Sequence, residues 1–161
     1  MILTVIGAFN KFITDVVNLD PNDSLKAKNS RDWLMGQIGS FPDIDDNFPE
    51  IYTDKNVFFG SFSRKTKKRP LDDIDIMVCL QANGCVYKEF SDRIEVYAPE
   101  TATRFKDYIN EGTNIVNSRK VINSFVTKLS GVNQYKKAEI KRNLEAATLN
   151  LSTYDWVFDI V

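Results

Sequence analysis

The sequence contains no histidine. Ser-His-Asp and Cys-His nucleophilic sites, HExxH metal sites and every imidazole proton shuttle are therefore excluded. Cysteine is almost as scarce. Cys79 and Cys85 supply neither a disulfide framework nor a four-ligand zinc cluster, and a reducing, cytoplasmic compartment is expected. The chain has no run of about 18 apolar residues, and its apolar opening Met1–Asn10 has neither a basic residue ahead of it nor a small-residue cleavage site behind it. Neither a membrane span nor an export leader is expected. No sign of charge dominates, since 21 basic residues stand against 22 acidic ones. That balance argues against wholesale nucleic-acid binding while leaving room for a local basic patch. Any chemistry must run on carboxylates, hydroxyls, lysine and arginine, within 161 residues that match one domain at about 100–200 residues per domain.

Hydrophobic periodicity predicts the elements. Ile2, Ile6, Phe9, Ile13 and Val16 recur at helical spacing, which predicts a first helix packed on the domain through one apolar stripe. The turn-rich stretch from Asn18 to Asp23 ends it, and a second helix from near Ser24 turns Ala27, Leu34 and Ile38 inward. From Gly39 to Glu50 two prolines and the acids Asp43, Asp45, Asp46 and Glu50 read as a solvated surface loop whose spacing matches no calcium loop. Val57-Phe58-Phe59 is a short apolar run stopped by Gly60-Ser61, and Ile74–Leu80 is the strongest strand. A segment around Val86 and Tyr87 is expected to pair with that strand. Helices are expected over Thr101–Glu111 and Asn114–Ser130, then strands over Ala138–Arg142, Ala146–Leu151 and Trp156–Val161. The class is α+β (α/β), helices on a mixed sheet.

The chemistry concentrates in Gly60-Ser61 and, farther on, Asp73-Ile74-Asp75. In a strand the two aspartates share one face, about 6.5–7 Å apart, while the isoleucines point into the core. Ionised carboxylates so close repel each other unless water or a cation separates them, and hard oxygen ligands are what Mg²⁺ or Mn²⁺ selects. Gly60 permits a sharp turn, and Ser61 presents its amide and hydroxyl at a helix start, where phosphates bind. Five of the six residues from 64 to 69 are basic, namely Arg64, Lys65, Lys67, Lys68 and Arg69. Asp159 sits within the apolar strand Trp156–Val161, facing opposite to Trp156, Phe158 and Ile160, and is costly there unless something binds it. Asp155, at the start of that strand, competes for the role.

Phe59-Gly60-Ser61-Phe62-Ser63-Arg64-Lys65-Thr66, followed by Arg69-Pro70-Leu71-Asp72-Asp73-Ile74-Asp75-Ile76-Met77-Val78, resembles the GS and D-x-D motifs of the bacterial cGAS/DncV-like nucleotidyltransferases, within the DNA polymerase β-like superfamily. Val17-Asn18-Leu19-Asp20 and Ser30-Arg31-Asp32-Trp33-Leu34 resemble that family's amino-terminal helices, so the likeness spans the chain. The resemblance implies a catalytic core over residues 1–161. Its parts are the amino-terminal helices over 1–38, the GS and DxD region over 57–80 and the third-carboxylate strand over 154–161. It further implies an enzyme that joins nucleoside triphosphates, ATP, GTP or others, into a cyclic di- or trinucleotide signal for antiphage defence. Asp73, Asp75 and Asp159 would hold two Mg²⁺ or Mn²⁺ ions, Asp159 would help activate the acceptor hydroxyl, and Gly60 and Ser61, with Arg64 and Lys65 beside them, would hold the donor phosphates.

Two departures qualify the match. Lys65 stands where many family members have glycine, and the family continues past the third acid with a turn and a helical domain that usually closes the cleft. The resemblance therefore implies the amino-terminal core of something longer, partnered by its own missing carboxy-terminal domain and weakly active or inactive alone. Two alternatives stay open: a minimal polymerase β-like transferase that modifies a drug, protein or RNA, and a non-catalytic nucleotide-binding fragment.

Overall fold

The computed structural model describes residues 4–161. Thr4 caps the first helix, α1 (Val5–Phe12), by accepting the Gly7 amide at 3.1 Å, and a wider π turn over Ile13–Val17 continues it. The expected helix forms, but the expected packing does not. Val5 is 88% and Ile6 74% exposed, Phe9 and Val16 are exposed as well, and Ile2 lies outside the described residues. Periodicity specifies that a helix has an apolar face, not what covers it.

Helix α2 (Pro21–Gly39) starts three residues before Ser24, because the Asp20 carboxylate accepts the Asn22 amide at 2.8 Å and Pro21 fits the first helical position. Ala27, Leu34 and Ile38 are fully buried, as expected. The stretch after α2 corrects the surface-loop reading. A single turn, α3 (Phe41–Ile44), carries Phe41 inward, Phe48 and Pro49 are buried too, and both phenylalanines meet Phe125 edge to face. Its acids serve cations of the protein. Asp45 pairs with Lys128, and Arg104 approaches Asp46 and Glu50 while donating to the Pro42 and Phe48 carbonyls.

Strand β1 (Val57–Phe59) leads into the short helix α4 (Gly60–Ser63), and β2 (Asp73–Met77) follows the basic loop. A two-stranded sheet then forms from β3 (Val86–Glu89) and β4 (Ile94–Tyr97). The Val86–Tyr87 segment therefore pairs with β4 rather than with β2, because the turn at Ser91–Arg93 offers it a partner only a few residues away. The expected helix over Thr101–Glu111 is a 3-10 turn over Thr103–Tyr108, whose Phe105 and Tyr108 fill a small second core with Ala98 and Ala102. Helix α5 (Ser118–Ser130) begins later than Asn114, since Ile115 bridges Tyr97 and the Asn117 side chain caps the helix. It buries Ile122, Phe125 and Leu129 on the sheet. Strands β5 (Glu139–Asn143), β6 (Ala146–Asn150) and β7 (Val157–Ile160) complete a five-stranded sheet of order β1-β2-β7-β6-β5, antiparallel except between β2 and β7. The mixed α+β class holds. No helix among the described residues is long and apolar enough to cross a membrane.

Candidate active site

The one parallel pair in the main sheet builds the site. Its register sets Asp75 beside Asp159, Asp73 beside Val157, Ile74 beside Phe158 and Ile76 beside Ile160. Ile74, Ile76, Phe158 and Ile160 are all buried, so alternation sends the three aspartates to the opposite face, where each is half-buried. Neighbouring strands lie about 4.8 Å apart, which makes Asp75 and Asp159 lateral neighbours. Asp155 precedes β7 and lines a separate cavity with Asp20, Asp23 and Arg69. Of the two candidates for third acid, Asp159 is the one beside Asp75.

Gly60 makes this arrangement possible. Its φ is +72°, a region that side chains avoid, and a Cβ placed there would overlap the Asp75 carboxylate. The glycine thus lets α4 start directly against the acid face. The Ser61 carbonyl accepts the Thr66 amide at 3.0 Å and the Lys67 amide at 3.1 Å, which folds the basic loop back over the GS turn. Lys65 takes a left-handed φ of 58°, a region that glycine enters more easily than a side-chain-bearing residue.

Charge on the acid face is unevenly balanced. Burial, then repulsion from Asp73 and Asp159, pushes the Asp75 carboxyl above its ordinary range. Thr148 on β6 donates its hydroxyl to Asp159 at 2.8 Å. Lys67 donates to Asp73 at 2.5 Å and also bonds Asp72, and these two acids hold its ammonium above the usual lysine value. Asp72 is lowered first by its side-chain contact with Asp73 and then by Lys67.

The basic run divides by task. Lys68 donates to the Asn18 side chain, and Arg69 to the backbone carbonyls of Asn18 and Asp15, so both brace the end of the first helix. Arg64 lies close enough to Asp75 to lower its pKa, and Lys65 lines the same cavity as Lys67. Sequence reasoning missed Lys67 as the partner of Asp73 and Thr148 as the donor to Asp159. The first was visible only as part of a basic run. The second follows once β6 is laid antiparallel beside β7, where Thr148 is opposite Asp159.

Among the described residues no group of three or more histidine, cysteine, aspartate or glutamate side chains is arranged to hold a metal ion as it stands. The donor set nevertheless suits a hard divalent cation, since three carboxylates share one face and Asp75 and Asp159 are register neighbours. One of the three, Asp73, is paired with Lys67.

No protein-family model matches the chain. Over its whole length it is 46% identical, across 162 residues, to a probable cyclic nucleotide synthase of Bacillus cereus (strain VD146), and it spans 49% of that relative. Its fold is similar to CdnC of E. coli MS115-1, solved in a complex with HORMA-deltaN, with a TM-score of 0.56 at 17% identity, covering 95% of this chain and 39% of that one. This likeness shows the fold, a mixed sheet with helices packed on it, in which the parallel acid-bearing strands and the GS turn are set side by side. The chain spans about half the length of the curated relative it matches, and its sequence is similar to that probable cyclic nucleotide synthase from end to end.

Proposed function

We propose that this chain is the catalytic core of a metal-dependent nucleotidyltransferase that joins nucleoside triphosphates, ATP, GTP or others, into a cyclic di- or trinucleotide second messenger used in antiphage defence. The observation that carries the reading is the register of Asp75 against Asp159, with Gly60 clearing the space beside Asp75. The 46% identical relative, named a probable cyclic nucleotide synthase, supports the product class.

In this reading Asp73, Asp75 and Asp159 hold two Mg²⁺ or Mn²⁺ ions. Such ions, when bound, align the donor and neutralise the charge that develops on the leaving pyrophosphate. The Gly60-Ser61 turn offers its amides and the Ser61 hydroxyl to the donor phosphates, with Arg64 and Lys65 adding positive charge. The acceptor's 2′- or 3′-hydroxyl attacks the α-phosphorus, pyrophosphate leaves, and the hydroxyl proton departs with the help of Asp159, which Thr148 keeps oriented. Because the chain spans about half of its relative, turnover by these residues alone is expected to be weak or absent.

Photo-crosslinking with an α-labelled azido-ATP in Mn²⁺ tests the reading. Wild type should be labelled and Asp73→Asn/Asp75→Asn should not, whereas equal labelling contradicts a nucleotide site on this face. Any turnover in the same incubation separates the product classes. Label in a small cyclic product supports the proposal, and label on a macromolecule points to a minimal transferase instead.

A further inference from the structure

One side chain of the basic run lies between two oppositely charged environments. The Lys67 ammonium contacts Asp73 at 2.5 Å and also Asp72, and its side chain is 14% exposed against 44% for Asp73. The same residue lines a cavity of about 590 Å³ between α2 and the GS loop, together with Lys28, Arg31, Lys65 and Lys68. No carboxylate lines that cavity among the described residues. Lys67 thus stands at the border of an acid face and a basic hollow. Two of its basic neighbours already have partners. The Arg31 guanidinium lies 3.8 Å over the Phe58 ring and pairs with Asp32, and Lys68 donates to Asn18.

We propose that Lys67 is the counter-cation of the acid face when no metal is bound, that it must leave Asp73 before a divalent ion can use that carboxylate, and that on leaving it turns to the triphosphate in the basic cavity. This rests on the reading that the acid face takes a divalent ion and a nucleoside triphosphate. An ammonium and a metal ion compete for the same carboxylate oxygen, and a lysine, a compact charge on a flexible stem, can swing between two anionic partners where a forked guanidinium is less free to do so. The consequence is linkage. Metal and triphosphate each favour the released Lys67, so each tightens the other's binding by the same factor. Lys67 is accordingly a positioning residue, acting through Asp73 and the donor phosphates.

The test is Mn²⁺ titration of the whole chain, followed by the electron paramagnetic resonance of free Mn²⁺, with and without a non-hydrolysable ATP analogue. Lys67→Met should bind Mn²⁺ alone more tightly than wild type by roughly three- to fivefold, the scale of a half-exposed ion pair. It should bind the analogue more weakly in Mn²⁺ and lose the mutual tightening. Lys67→Arg, which keeps the positive charge beside Asp73, should stay near wild type without nucleotide. If wild type binds Mn²⁺, Asp73→Asn/Asp75→Asn does not, and folded Lys67→Met binds it equally or more weakly, the role of Lys67 is overturned while the metal site stands. If wild type and the double aspartate variant cannot be told apart, the site itself fails and the role of Lys67 falls with it.

Discussion

The two faces of strands β2 and β7 are made of interleaved residues and behave as opposites. One face, Ile74, Ile76, Phe158 and Ile160, is sealed in the core. The other, Asp73, Asp75 and Asp159, is half-buried, and burial, followed by repulsion from its two neighbours, raises the Asp75 carboxyl above its ordinary range. The same backbone therefore carries stability on residues of one parity and stored electrostatic strain on the other. That strain is what a bound cation would relieve, and active sites commonly carry such unfavourable groups at a cost in stability.

The largest effect belongs to the sealed face. Phe158→Ala should cost about 3–5 kcal/mol in chemical denaturation, through lost burial and an unfilled cavity. A loss below about 1 kcal/mol would mean that the sheet does not rest on this face. Gly60→Ala crosses between the faces. Alanine at a φ of +72° costs about 1–2 kcal/mol, and its Cβ displaces the Asp75 carboxylate, so nucleotide crosslinking should disappear along with the stability. Retained crosslinking would show that Asp75 need not lie beside the GS turn. The smallest effect has the opposite sign. A carboxyl whose pKa is raised on folding favours the folded state at low pH and loses that contribution as pH rises through its folded value. In chelator at pH 7, Asp75→Asn should therefore raise Tm slightly, with the gain vanishing below about pH 4, where the unfolded carboxyl is protonated as well. A variant less stable than wild type at pH 7 would show that Asp75 is a structural group.

The alternation that defines this contrast was legible in the sequence, because a strand period of two needs only neighbouring residues. Asp73, Asp75, Gly60 and the short run before it were readable for that reason, and so were the three carboxy-terminal strands. α1 and α5 both carry an apolar stripe, yet α5 buries Ile122, Phe125 and Leu129 while α1 leaves Val5, Ile6 and Phe9 exposed. A stripe records an amphipathic helix, and only the tertiary fold says whether anything covers it. The stretch holding Phe41 and Phe48 misled in the other direction, since its prolines and acids signalled a loop while two aromatics carried the burial. Lys67 was out of reach for a third reason. Its contact with Asp73 depends on how the basic loop folds back to the Ser61 carbonyl, which no periodicity encodes. Thr148 needed the antiparallel register of β6 on β7.

On the proposed function, the outward face of β2 and β7 binds a divalent metal and a nucleoside triphosphate together. Isothermal calorimetry of a non-hydrolysable ATP analogue, in Mn²⁺ and in chelator, against wild type and Asp73→Asn/Asp75→Asn, tests it most directly. Wild type in Mn²⁺ should give heat of binding, and neither the chelator sample nor the double variant should. Equal binding in all of these samples, or no binding by wild type in Mn²⁺, would contradict it.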